Sequence, residues 1–523
     1  MLFLWGSNAR ETHPIMFHHM LRAIRNGARL VVVDPRRTPT AEFAHEHLQT
    51  RVGADIALAN AMAHVILEEG LAHHEFVAQA TNGIDALRAH VAKYPPERAA
   101  EISGVDAATI RRVARLYATA PRAILCWTLG ITEHHNATDA VYALCNLANL
   151  TGHVGRYGSG LDPLRGQNNV QGGGDMGALP NRLPGGAAIA DEAQRAPFEA
   201  EWGCPVPPKI GLHQSLMFEA MHEGTIRAAY VIGENPLVSE ANGGKTRALL
   251  LGLDLLVVQD IALTQTAEIA DVFLPSSAAW CECEGTVTNS ERRVQLLRKA
   301  LEPPGQARDD IFIVADLAAA MGQPWAYTCA EDVWNEVRRL SPRHRGMSYG
   351  RLAAEGGLQW PCPGEDHPGS LYLHGDLWTR PLERARVPLL PVEWEAPVEQ
   401  PDAEFPFLLT TGRQLQFYNT GTQSRGYAAA IPQTEALHIW PADAQRLGIG
   451  EGDLVRVRSR RAVLLLPASL DPALAEGLCF MTLHHPEDVP TNLLTLDAWD
   501  PKSGTAEFKA TAIAVERAGS RGA

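Results

Sequence analysis

Two stretches of this chain run through the same order of events, and that order restricts the fold more than any other feature. In the first, Leu2-Phe-Leu-Trp5 breaks at Gly6-Ser-Asn8 and a helical pattern follows from about Pro14 to Asn26. Gly27 ends that pattern, and Leu30-Val-Val-Val33 then runs into Asp34-Pro-Arg-Arg37. In the second, Ala228 to Ile232 breaks at Gly233-Glu-Asn-Pro236, a helical stretch reaches about Leu251, and Leu253 to Gln259 ends at Asp260. A continuous β-branched run such as Leu30 to Val33 has no polar face, so it suits a strand covered on both sides in a parallel sheet. Strand, glycine turn, helix, strand and terminal acid make a βαβ unit. In such a unit a phosphate can sit at the helix start and the acid can accept from a ribose or base donor. The first copy lacks the GxGxxG spacing. Two copies in order point to an internal duplication with two nucleotide sites, in preference to plain α/β repetition.

Between the copies lies Gly160 to Pro180, GLDPLRGQNNVQGGGDMGALP, which packs Arg165, the amides of Gln167, Asn168, Asn169 and Gln171, and six glycines into 21 residues. It has no apolar periodicity, so it is neither a core strand nor an amphipathic helix. Glycine allows close backbone approach, amides donate and accept along a heterocycle edge, and an arginine grips a carboxylate or phosphate bidentately. A Gly-rich connector has the same composition, and both readings stand at this point.

Helices are expected at Ile56 to Gly70, Ala107 to Ala118 and Ala137 to Leu150, and strands at Ala123 to Cys126 and Ala270 to Pro275. The turn after the last strand carries Glu282, Gly285, Thr286, Asn289, Arg292 and Arg293, either facing a ligand or simply solvated. Five prolines between Arg386 and Pro406 mark a linker. Beyond it, short alternating runs at Leu408 to Thr411, Leu454 to Arg458, Ala462 to Leu466, Leu478 to Leu483 and Thr511 to Glu516 indicate a compact β-barrel.

A formal charge of -14 argues against general nucleic-acid binding, so an anionic substrate needs locally placed basic groups. No segment approaches the ~18 apolar residues of a membrane span, and the first residues lack a basic leader, which makes a cytoplasmic protein the default. The eight cysteines show no CxxC spacing, so Cys281 and Cys283 are not expected to ligate a metal. The pairs His18-His19, His73-His74, His134-His135 and His484-His485 cannot chelate one ion with both rings, since adjacent side chains diverge. They are expected to be solvated or singly hydrogen-bonded.

With these residues in view, the chain resembles the molybdopterin-guanine-dinucleotide oxidoreductases of the dimethyl-sulfoxide-reductase superfamily, and within them the formate dehydrogenase catalytic subunits. The resemblance rests on GSNARETHP at 6–14, VVVDPRR at 31–37, TGHVGRYGSG at 151–160 and PLRGQNNVQGGGDMGALP at 163–180. It continues through VIGENP at 231–236, VVQDIALTQTAEIADVFLP at 257–275, GTVTNSERRVQ at 285–295, TTGR at 410–413 and ALHIWPADAQRLGI at 436–449. The run PLRGQNNVQG followed by DMGALP is specific to the formate dehydrogenase branch, whereas GENP or TGR alone would be weak.

The resemblance implies an α/β fold with two Rossmann-like halves, at residues 1–155 and 156–385, a Pro-rich linker at 386–406 and a C-terminal barrel of the double-psi type at 407–523. It implies two pterin guanine dinucleotides on one molybdenum or tungsten. Asn8, Glu11, Asp34, Arg36, Gly53 and Asp55 would form the first dinucleotide's pocket, and Gly233, Glu234, Asn235, Gln259, Asp260 and Thr264 the second's. Gly130, Gln167, Gly412, Arg413, Ser424, Asn492 and Lys509 would line the pterins or their phosphates. Arg165 matches the substrate arginine, whose fixed fork suits formate, a carboxylate with little but its oxygens to hold.

Subunits of this family carry an iron–sulfur domain before the stretch matching Leu2 to Asn8, and then a cysteine or selenocysteine metal ligand followed by histidine. No cysteine here aligns with either. The expected partners are therefore formate and an electron-transfer subunit or iron–sulfur segment encoded upstream, with no ligand for a 4Fe–4S cluster or for the metal in this chain. The implied reaction is formate oxidation to carbon dioxide. The alternatives are another oxidoreductase such as a nitrate reductase, and a non-catalytic cofactor-binding scaffold or inactive remnant.

Overall fold

The computed structural model describes residues 1–420 and 434–519. The first α/β half is built on a parallel five-stranded sheet in the order Glu46–Leu48, Leu30–Val33, Leu2–Trp5, Ile124–Trp127, Gly160–Pro163. The period of two along each strand sorts its side chains into two cores. Phe3, Trp5, Val31, Val33 and Leu125 pack with the helices Asp55–Glu68, Ala107–Ala118 and Ala137–Thr151. Leu4, Leu30, Val32 and Cys126 pack instead with Phe17 and Met20 of the helix Pro14–Arg25. Covering on both faces is why these strands read as unbroken apolar runs. Of the helices, Asp55–Glu68 is buried almost all round, and its sequence DIALANAMAHVILE is correspondingly apolar.

The second half carries a parallel three-stranded sheet in the order Val272–Pro275, Leu255–Asp260, Ala228–Ile232. Leu256 and Val258 pack there with Phe218 and Met221 of the helix Gln214–His222. An antiparallel set, Gly285–Thr288, Arg293–Leu297 and Leu358–Gln359, follows.

The C-terminal region closes into a barrel whose order is Phe407–Gly412, Leu478–Thr482, Leu437–Ile439, Val463–Leu470, Leu454–Arg458, Thr511–Gly519. The mixed α/β architecture with a barrel is thus as expected. Of the barrel strands Leu437–Ile439 was not foreseen, because three residues are too few to show an alternating pattern, and Gly160–Pro163 corrects the expectation of no sheet strand in the stretch 160–180. The proline-rich stretch 386–406 is pinned along its length. Val387–Pro388 pairs with Thr81–Asn82, and the Trp394 indole donates to the Gly53 carbonyl at 2.9 Å. Glu399 accepts from Arg461 at 2.8 and 3.0 Å and from the Ala512 amide at 2.9 Å.

By internal contacts the chain gathers into two compact units. One comprises Met1–Leu164, Val238–Thr246 and Tyr372–Ala523, and the other Arg165–Leu237 and Arg247–Leu371. Among the described residues no helix is long and apolar enough to cross a membrane.

Phe3 is fully buried, with its ring against Trp5 at 5.3 Å and Tyr117 at 5.5 Å. Phe3→Ala is expected to destabilise the chain by about 3–5 kcal/mol, read as a fall in the denaturant midpoint.

Candidate functional site

In the first unit, the polar residues picked from the sequence meet at the carboxyl ends of the central strands, where ligands of open α/β sheets bind. Asp34 follows the strand Leu30–Val33 and accepts the Arg36 amide at 2.9 Å. Burial pushes its carboxyl up to about 6, against the pull of Arg36. The Arg36 guanidinium is buried too. It lies over the Phe480 ring at 3.4 Å and within 3.9 Å of Asp471, while its Nε has no hydrogen-bond partner among the described residues. Asn8 donates to Glu11 and accepts from Thr40 at 2.9 Å, and burial raises Glu11 against the opposing influence of Arg36. Asp55 accepts the Trp5 indole at 2.7 Å, and burial raises it as well.

Barrel residues complete this cluster. A Cβ on Gly412 would meet Phe480 at 2.7 Å and Arg36 at 3.8 Å. Arg413 donates from Nε to the Phe417 carbonyl at 3.1 Å and lies 5.0 Å from the Tyr418 ring. Lys509 pairs with Glu133 at 2.7 Å and donates to the Thr411 carbonyl at 3.1 Å. Gly53 has φ +76 and abuts Pro397. Gly130 touches Gly6 backbone to backbone, and a Cβ there would sit 2.6 Å from the Gly6 Cα, so both positions require glycine. Next to that contact, the Ser7 hydroxyl is buried and has no partner among the described residues. Asn492 donates to the carbonyls of Val238 and Ser239 at 2.8 and 3.0 Å, which leaves its side chain occupied with backbone. Ser424 lies outside the described residues.

The second unit repeats the plan. Gly233, at φ +65, donates its amide to the Gln259 carbonyl at 2.8 Å. Asn235 accepts from the Thr266 hydroxyl at 2.7 Å and donates to Gln265 at 2.8 Å. The Gln259 side chain takes the Tyr230 hydroxyl and gives to Asp310 at 2.5 Å. Asp260 is buried, which raises its carboxyl. The Thr264 hydroxyl caps the turn beginning at Gln265 by accepting the Ala267 amide at 3.2 Å. Asn235, Gln259, Asp260 and Thr264 therefore cluster at the strand ends, with the half-buried Glu234 beside them in sequence.

Arg165 and Gln167 are exposed, on the loop that enters the short helix Val170–Asp175. The Arg165 Nε donates to Gln171 at 3.3 Å, and its backbone amide donates to the Ser290 hydroxyl at 3.0 Å. Asn169, at φ 63, accepts the Thr288 amide at 2.9 Å, which ties the loop to the strand Gly285–Thr288. These anchors fasten the stretch to the strand Gly285–Thr288 and the turn after it.

Two of the paired histidines correct the expectation of solvation. His134 is buried, and its Nδ1 lies 3.1 Å from the fully buried Glu507 carboxylate, which also accepts the His135 amide at 3.0 Å. Burial opposes both charges, but each holds the other charged: Glu507 falls to about 2 and His134 rises above its usual value. His484 is buried and pushed down to about 4. It accepts the Gln414 amide on Nε2 at 3.0 Å, which leaves Nδ1 as the donor to Asn419. Neither role was visible in sequence, because the partners lie hundreds of residues apart or act through backbone.

The molybdopterin oxidoreductase family model matches residues 1–320, and the molydopterin dinucleotide binding domain matches 407–512. A formate dehydrogenase subunit alpha of Methanocaldococcus jannaschii is 42% identical over 520 residues, covering 99% of this chain and 76% of that protein. Formate dehydrogenase H of Escherichia coli is 36% identical over 522 residues, 99% of this chain and 72% of that one. The assimilatory nitrate reductase catalytic subunit of Bacillus subtilis is 34% identical over 525 residues, 98% and 74%. Among solved structures, acetylene hydratase from Pelobacter acetylenicus shares the fold, with a TM-score of 0.75, 23% identity, and coverage of 99% of this chain and 77% of that one.

The ion pair between Glu507 and His134 sets a pH dependence with two limbs. The depressed carboxyl contributes stability above its unfolded value of 4.5, which is lost as pH falls toward about 2. The raised imidazole contributes below its unfolded value of 6.5, and that share is lost as pH rises through its folded value. The stability difference between the wild-type chain and Glu507→Gln is therefore expected to be largest between about pH 4.5 and 6.5 and to shrink on either side, measured by denaturant titration across pH.

Proposed function

The chain belongs to the molybdopterin oxidoreductase family, and on that premise we propose that it oxidises formate to carbon dioxide, with release of two electrons and one proton. The cofactor, when bound, supplies the two-electron chemistry of a molybdenum or tungsten centre. The residues fit such a group: Arg36 Nε and Ser7 Oγ are buried donors without partners among the described residues, and Arg36 stands beside two carboxylates that burial has raised. In this reading residues 1–155 and 156–385 each take one dinucleotide. Asp34 and Arg36, with Asn8, Glu11, Gly53 and Asp55, hold one guanine end, and Gly233, Glu234, Asn235, Gln259, Asp260 and Thr264 hold the other. Gly130, Gln167, Gly412, Arg413, Asn492 and Lys509 face pterin or phosphate, and Ser424 is assigned with them from its motif.

The observation that carries the substrate assignment is Arg165, an exposed guanidinium held at Nε by a neighbouring amide within a loop tied to a strand. A planar fork in fixed orientation can take both oxygens of a one-carbon carboxylate and aim its C–H bond. Electrons would leave through an iron–sulfur segment or partner subunit. The nitrate reductase relative supports a competing reading, since nitrate is also a planar anion that such a fork can take.

Two measurements bear on this. In the cofactor-loaded assembly, Arg165→Lys is expected to lower formate-dependent dye reduction by on the order of a hundredfold while pterin content stays near wild type, since lysine loses the fork. Unchanged turnover, or nitrate-dependent dye oxidation in place of formate oxidation, would overturn the assignment. Asp34→Asn should separate folding from binding. The raised carboxyl costs the cofactor-free chain stability as pH rises from its ordinary 3.8 to about 6, and that cost stands in full above it, so the amide is expected to be the more stable at pH 8 yet to retain less pterin, read from the fluorescence of released pterin.

A further inference from the structure

We propose that Asp175, acting through Gln171, is a positioning residue that fixes the plane of the Arg165 guanidinium, so that the grip of this loop on a carboxylate is set by a chain of hydrogen bonds rooted at Trp360. The claim about grip rests on the substrate reading of Arg165 given above.

The chain runs from solvent to core. Arg165 is exposed, Gln171 is half-buried, and Asp175 and Trp360 are buried. The Arg165 Nε donates to Gln171 Oε1 at 3.3 Å, Gln171 Nε2 donates to Asp175 Oδ1 at 3.0 Å, and Trp360 Nε1 donates to Asp175 Oδ2 at 2.7 Å. Ordering an exposed arginine costs rotamer entropy, and a hydrogen bond at Nε restrains the plane of the whole fork.

The direction of the chain is what makes Asp175 specific. A side-chain amide has one accepting and one donating end. Gln171 must turn its oxygen to the cation, so its NH2 must meet an acceptor on the other side. Trp360 offers only a donor, so the group between the two has to accept on both of its oxygens. A carboxylate does this and a carboxamide does not. With Asn at 175, either the indole N–H stays buried and unpaired, or Gln171 flips and turns its NH2 toward the guanidinium.

The root of the chain is rigid. The guanidinium groups of Arg343 and Arg292 lie over the Trp360 ring at 5.2 and 5.4 Å, and Arg292 also donates to the carbonyls of Trp360 and Ser370. The helix that carries Gln171 and Asp175 at i and i+4 reads VQGGGD. Three consecutive glycines each weaken a helix by about 1 kcal/mol relative to alanine, so this turn depends on its side-chain links. A Cβ on Gly172 would fall 1.9 Å from the Asn169 oxygen that accepts the Thr288 amide, so a side chain there would displace that link.

The test uses the full chain labelled with 15N at arginine Nε, with the Arg165 signal identified by its loss in Arg165→Lys. Asp175→Asn and Gln171→Leu are each expected to speed solvent exchange of the Arg165 Nε–H by about tenfold, which corresponds to about 1.4 kcal/mol. The paired variant Gln171→Glu with Asp175→Asn keeps the net charge and restores every donor–acceptor match: guanidinium to Glu, Asn NH2 to Glu, indole to the Asn oxygen. It should return exchange to the wild-type rate. Unaltered exchange in Asp175→Asn, or no recovery in the paired variant, overturns the positioning role. Should Asp175→Asn fail to fold, Gln171→Leu carries the same readout, since it leaves Asp175 and Trp360 paired.

In parallel, the formate concentration that half-protects Arg165 from phenylglyoxal, read by peptide mass, should rise about tenfold in each single variant and recover in the pair. An unmoved half-protecting concentration overturns the link to carboxylate grip. Absence of any protection in the wild-type chain would instead sink the formate reading, and the exchange rates alone would then decide on Asp175.

Discussion

A guanidinium lying flat on a phenyl ring organises the first unit. Arg36 comes from the turn after a buried strand of the α/β sheet, Phe480 from the middle of a fully buried barrel strand, and 3.4 Å separates them. Burying a cation is costly unless its surroundings answer it, and here a π-face, Asp34, Glu11 and Asp471 do so. Because the ring faces Arg36, Gly412 on the neighbouring strand can carry no side chain, and the loop after it brings Arg413 over the same ground. The barrel region thus contributes Arg413, Lys509 and Asp471 to a cluster that also holds Asp34, Glu11 and Arg36 from the α/β part, and the opposite charges make one another tolerable.

That arrangement also explains the unusual carboxyls. Asp34 follows a strand, Asp260 ends one, Glu11 and Asp55 lie in helices, and burial holds all four up, while Glu507 and Glu399, also buried, are held down by a histidine and an arginine. The two classes separate by task. Acids whose cation outweighs the cost of burial fasten one segment to another, and those in which burial prevails are the ones proposed above for the dinucleotide pockets.

The strands that form the sheet cores were legible because covering on both faces leaves an uninterrupted apolar run, as in Leu30 to Val33. The strand-end residues followed from the same pattern, since a turn after such a run has to sit at the sheet's carboxyl edge. What escaped was whatever depended on distance in sequence or on backbone partners. Leu437–Ile439 is too short to alternate visibly, Glu507 meets His134 only once the barrel docks, and nothing near Arg165 announces that Trp360 anchors its neighbours. Gly130 was read for a ligand, yet its contact with Gly6 gives it a packing reason of its own. Asn492, read as lining a pterin, spends its amide on two backbone carbonyls. The histidine pairs were judged by local geometry alone, which is silent about burial.

The compact units are woven rather than strung. The chain passes from one to the other after Leu164, Leu237, Thr246 and Leu371, and the barrel closes only when Thr511–Gly519 pairs with Phe407–Gly412. Contacts of such long sequence separation form slowly, because the loop-closure entropy has to be met before they are rewarded. On a ribosome the first sheet would emerge early, with its strand-end charges waiting for a barrel still unmade, and that interval is when the chain is most exposed to misassembly. Neither unit can be cut out as one continuous fragment, so trimming this protein to a minimal domain would require re-joining ends rather than simple truncation.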